Sequence, residues 1–72
     1  MQPVTLRPAD VSDAAALERL AQLDSRQLPP GPHLIAIRGG DLAAAISLST
    51  GTVIADPFRP TADLRELLVR SA

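Results

Sequence analysis

The 72-residue sequence predicts a small α+β domain: a mostly antiparallel four-stranded sheet with two helices, in the order β-α-β-β-β-α. Two stretches carry apolar residues at helical spacing. Between them lie three strand-length pieces divided at glycines, and ahead of both a short β-type segment sits between two prolines. Residues 1–72 have room for one hydrophobic core, so they are read as a single domain.

The opening strand is Val4-Thr5-Leu6-Arg7, bounded by Pro3 and Pro8, which cannot donate to a ladder and suit a strand end or a sheet edge. In "ADVSDAAALERLAQLDS", Asp10 begins a helix, and Asp13 stands three residues on, the spacing of a capping box. Ala16, Leu17, Leu20 and Leu23 form the apolar stripe of that helix, and Glu18, Arg19 and Gln22 its outer face. "QLPPGP", Gln27 to Pro32, is a stiff connector, because its prolines and glycine deny a helix both donors and backbone angles.

"HLIAIRGGDLAAAISLSTGTVIAD" then divides at Gly39-Gly40 and at Ser49-Thr50-Gly51 into a meander of hairpins. Strict alternation puts Leu42, Ala44, Ile46 and Leu48 on one face of its middle strand. Ala43, Ala45, Ser47 and Ser49 take the other, where small side chains let a helix or a partner approach. The last helix takes Thr61 as N-cap behind Pro60, with Asp63 in its first turn and Leu64, Leu67 and Leu68 as its stripe. Glu66 and Arg70 are an exposed pair four residues apart.

Seven basic residues against eight acidic ones leave a net charge of −1, which gives no electrostatic footprint for nucleic acid. The absence of Cys removes disulfides and thiolate metal sites, and Phe58 is the only aromatic residue. A core of mostly Ala and Leu in so short a chain is marginal by itself, which predicts self-association. The longest apolar run, Leu42 to Ile46, is too short to span a bilayer, and the N-terminus has no signal-peptide pattern. The expectation is a cytoplasmic protein with neither membrane nor nucleic-acid partners.

The order of elements and three quoted stretches resemble the first half of the GNAT family, the acetyl-CoA-dependent N-acetyltransferases. "VTLRPADVSDAAALERL" is similar to that family's opening strand and first helix, typically Ile-Arg-Pro-Ala followed by a helix-starting Asp. "AIRGGDLAAAISL" resembles its second and third strands. "VIADPFRPTADLRELL" resembles its fourth strand and third helix, usually Val-x-Val-x-Pro-x-x-Arg-Gly-x-Gly-x-Gly-x-x-Leu-Leu.

The resemblance places Asp56-Pro57 at the strand exit, Arg59 at the Arg before the first glycine, and Leu67-Leu68 at the paired leucines. The glycines are absent: allowing one deletion, Pro60, Ala62 and Leu64 stand in their places. Such a loop grips a pyrophosphate with bare backbone N–H groups at a helix N-terminus. Pro60 has no N–H, and Asp63 adds a negative charge to the first turn, so both changes oppose phosphate. In the family the cofactor also lies between the fourth and fifth strands, and the sequence stops before a fifth strand.

Other candidates have bland readings. His33, the only imidazole, has no companion for a metal site or a triad and reads as a solvated histidine at a loop or strand end. Ser47, Ser49 and Thr50 lack a nucleophile elbow and read as turn chemistry, while Glu18 and Asp24, six apart, read as a solvated face. Arg59 is the best functional candidate, against a bland reading in which it pairs with Asp56 or Asp63.

The first expectation is thus a non-catalytic domain without a cofactor, acting through protein association as a homodimer. Its interface would use the fourth-strand edge, Thr52, Val53, Ile54 and Ala55, and the helix leucines Leu64, Leu67 and Leu68. The alternative is a minimal acyl-CoA binder or acetyltransferase completed by dimerisation, with Arg59, Thr61 and Ala62 on the phosphates of acetyl-CoA. A third reading is a helper that binds a separate enzyme or regulator.

Overall fold

Strand β1 (Val4–Pro8) leads through a single 3-10 turn at Val11–Asp13 into helix α1 (Ala14–Leu23). Strands β2 (His33–Arg38), β3 (Asp41–Ser47) and β4 (Val53–Ala55) follow, and helix α2 (Ala62–Ser71) ends the chain. This computed structural model describes residues 3–72. The strands form one antiparallel sheet in sequence order, β1-β2-β3-β4, so the fold is of the α+β class.

The capping box expected at Asp10 is present, but it closes the 3-10 turn rather than α1 directly. Asp10 Oδ1 accepts from Ser12 N–H, and Asp13 Oδ2 accepts from Asp10 N–H, each at 2.8 Å. Asp13 also takes both arms of the Arg7 guanidinium, at 2.8 and 2.9 Å, and so ties the end of β1 to the start of the helix. That fork, with the Asp10 amide, holds the Asp13 carboxyl down at about 2.

Consecutive residues of a strand face opposite sides, and here each side receives a helix. Leu17, Leu20 and Ala21 of α1 pack on Ile35, Ala45 and Ile54. Leu64 and Leu68 of α2 pack on Ala36, Ala44, Ile46 and Ala55 across the sheet. Ala21 is fully buried although it lies outside the expected stripe, whereas Ala16 is exposed and Leu23 is 39% exposed.

Strict alternation does not survive along β3. The register passes from Ala36 opposite Ala44 to Ile37 opposite Leu42, so Ala43 is an extra residue in a β-bulge. The bulge moves Leu42 to the α1 side and Ala43 to the α2 side, the reverse of the expected assignment. Leu48 falls beyond the strand end and is exposed.

The connector Gln27 to Pro32 is fastened carbonyl by carbonyl. His33 Nε2 bonds to Pro29 O, Ser47 Oγ and Ser49 Oγ donate to Pro30 O and Gly31 O, and Leu48 N–H donates to Pro32 O. The expected solvated histidine is therefore corrected: His33 is 8% exposed, with its ring turned into the connector. Ser47 and Ser49 do the turn chemistry expected of them.

Helix α1 ends in a Schellman motif. Arg26 N–H donates to Ala21 O and Ser25 N–H to Gln22 O, with Ser25 at φ 54°, a conformation glycine adopts without strain. Ser25→Gly is expected to stabilise the fold by about 0.5–1 kcal/mol, the relieved strain less the added unfolded-state entropy, read as a higher denaturation midpoint with an unchanged m-value.

The Asp13 fork sets an acid response. The folded value lies below the ordinary carboxylate value, so the stabilisation is complete above about pH 4 and is lost as pH falls towards about 2. Urea titrations across that window are expected to show a steeper loss for the wild-type chain than for Asp13→Asn.

Candidate functional site

The loop from Asp56 to Thr61, between β4 and α2, holds the sequence's phosphate candidates. It begins with an Asx turn in which Asp56 Oδ1 accepts from Phe58 N–H at 2.8 Å, leaving Phe58 81% exposed at its tip. Arg59 then folds back: Nη2 meets Asp41 Oδ2 at 2.8 Å, and Nε lies 3.5 Å from Asp56 Oδ2. The bond to Asp41, helped by Asp56, raises the Arg59 value further. Of the pairings expected for Arg59, the one with Asp56 forms and the one with Asp63 does not.

Asp63 pairs instead with Arg38, whose other arm donates to Pro60 O at 2.8 Å. The guanidinium beside it lowers the Asp63 carboxyl below its usual value. The loop is thus clamped by two charge pairs of opposite sense. Arg38 and Asp41 come from the β2–β3 turn, and Asp63 and Arg59 from the α2 side. Gly39 and Gly40, at φ 60° and 84°, form the two-residue turn that places Arg38 opposite Asp41. The Gly39-Gly40 turn was legible in the sequence, whereas the pairing of Arg38 with Asp63 and of Arg59 with Asp41 was not.

Thr61 occupies the N-cap position of α2 without a side-chain capping bond, and it is buried, while Ala62 is exposed at the first helical position. An open cleft of about 350 Å³ lies beside Arg59, floored by Leu20, Leu23 and Leu42. Its charged rim of Arg19, Asp41, Asp56 and Arg59 sums to zero, so the cleft offers a polyanion no net attraction. Among the described residues no cluster of His, Asp or Glu is placed to hold a metal ion, and no helix is long and apolar enough to cross a membrane.

The edge residues and the helix leucines sit differently. Val53, Ile54 and Ala55 form β4, which among the described residues pairs only with β3, and Thr52 lies just before it. Ser47 N–H donates to Thr52 O and Asp56 N–H to Ala43 O, so Thr52, Ile54 and Asp56 turn their amides and carbonyls inward. Val53 and Ala55 therefore turn theirs outward. One outward group is occupied: Ala55 N–H donates to Asp24 Oδ2 at 3.2 Å. Asp24, expected on a solvated face, has a side chain only 16% exposed, and the sequence gives no sign of this contact across 31 positions.

Leu64 and Leu68 lie inside the chain's own core, and Leu67 alone of the three reaches the surface, 39% exposed. Leu68→Ala is expected to cost about 2–5 kcal/mol and Leu67→Ala about 1 kcal/mol or less, measured by urea denaturation of each variant. The chain matches no family model, no curated protein and no solved structure, so its own geometry carries the functional argument.

Proposed function

We propose that this domain is non-catalytic and works by association with a second copy of itself through the outer edge of β4. The observation that carries the reading is the outward row on Val53 and Ala55, uncharged residues on a strand edge that no second strand pairs among the described residues, with Ala55 itself 1% exposed. The folded unit leaves no core open: its surface of 4414 Å² is close to the roughly 4,300 Å² expected of a monomer this size.

The opposite edge argues for a closed pair. Ala9 N–H donates to His33 O and Gly39 N–H to Pro3 O, so β1 turns Val4, Leu6 and Pro8 outward. Pro8 has no N–H to offer, and its carbonyl already accepts from Arg7 Nη1 at 3.2 Å. A proline in this outward row opposes head-to-tail β1–β4 chaining, which would run on as a filament, and favours β4 meeting β4.

The resemblance to the acetyltransferases fits this reading as a scaffold without its cofactor loop. Arg59 already neutralises two carboxylates, Arg38 fills the entrance to α2, and Pro60 offers no N–H, so acyl-CoA binding is the weaker reading.

Val53→Pro removes an outward N–H that β3 does not use. It is expected to abolish the dimer in sedimentation equilibrium while leaving the circular dichroism spectrum unchanged. A dimer that survives the substitution, or a wild-type chain monomeric at millimolar concentration, would overturn the proposal.

A further inference from the structure

Building on the proposed β4 association, we infer that Asp24 is a latch on that edge, holding Ala55 N–H in the monomer and releasing it when a second copy pairs antiparallel to β4. The outward row is self-complementary. With a twofold axis at Ile54, Val53 of each copy stands opposite Ala55 of the other, and this is a hydrogen-bonded position for both. Val53 N–H then meets Ala55 O, and Ala55 N–H meets Val53 O, twice over. Every outward amide and carbonyl of the strand gains a partner once both Asp24 carboxylates leave the Ala55 amides and Ala55, 1% exposed in the single chain, is uncovered.

The geometry suits a reversible guard. Asp24 is the C-cap of α1, and the Ser25 turn that follows carries the chain away and leaves the carboxylate beside β4. The same oxygen that accepts from Ala55 lies 3.6 Å from Arg26 Nε, so the carboxylate has a cationic neighbour to move to when the amide is taken. Pro8 guards the β1 edge permanently, since it has no N–H under any condition, whereas Asp24 guards β4 with a single side-chain bond. A segment of uncharged residues, Thr52 to Ala55, brings no like-charge repulsion to a self-pairing. The occupant this edge fits is a second β4, and the latch keeps dilute chains from pairing indiscriminately.

Two variants and one exchange measurement test the latch separately from the association itself. Asp24→Ala frees two amides per dimer and is expected to raise the association constant roughly tenfold in sedimentation equilibrium. Asp24→Asn keeps an acceptor oxygen and is expected to stay within about threefold of wild type. In dilute wild-type protein the Ala55 amide is expected to exchange with deuterium much more slowly than the outward Val53 amide, and both become protected as the dimer forms. If Asp24→Ala associates no more tightly than wild type while Val53→Pro still abolishes the dimer, the latch is wrong and the edge pairing stands. Equal exchange at Val53 and Ala55 in the monomer sinks the latch without any variant, even should Asp24→Ala fail to fold. A wild-type chain that never dimerises removes both readings together.

Discussion

The fold depends on burying both faces of one short sheet with two ten-residue helices. A sheet covered on one side exposes the other to water, but here the central strand β3 must be apolar on both faces and must let two helices approach. Ala43, Ala44 and Ala45, all fully buried, meet that requirement, since a methyl group fills little of the space between helix and strand. The larger side chains come mostly from the helices and the flanking strands: Leu17 and Leu20 meet Ile35 and Ile54 on one face, and Leu64 and Leu68 cover the other. The bulge at Ala43 follows from the same constraint, for it turns Leu42 towards α1 while keeping an alanine beneath α2.

Loops at the two ends of the sheet are held by polar contacts that complete this packing. The proline connector has few donors of its own, and its carbonyls are met by His33, Ser47, Ser49 and the Leu48 amide. At the other end, Arg38 and Asp41 grip the loop that leads into α2. Arg59 is consequently a structural cation, lying between Asp41 and Asp56 beside a cleft of balanced charge. Arginine suits this role because its planar fork engages both carboxylates from one position.

The two edges are managed by different means. A proline in the outward row of β1 removes one of its amides for good, while at β4 the Ala55 amide is held by a carboxylate from α1. The Schellman turn that ends α1 sets where that carboxylate lies, so the helix terminus and the strand edge are structurally joined. The proposed association through β4 would therefore draw on α1 as well as on the strand.

Periodicity and turn chemistry determined the element order without help from the fold. Apolar residues at 3.6 spacing, the prolines around β1 and the connector, and the Gly39-Gly40 turn act over a few residues, and local rules suffice for them. The Asp10–Asp13 box and the Glu66–Arg70 pair, at 2.8 Å, were legible for the same reason. Tertiary structure alone decided which face each β3 residue takes, because one extra residue inverts alternation and nothing local marks it. It also decided the partners of Arg59, the burial of His33 and the placing of Asp24 on Ala55. The Arg59–Asp41 and Asp24–Ala55 contacts join residues 18 and 31 positions apart, and a charged or polar side chain selects its partner from what the packed helices and strands bring within hydrogen-bond reach.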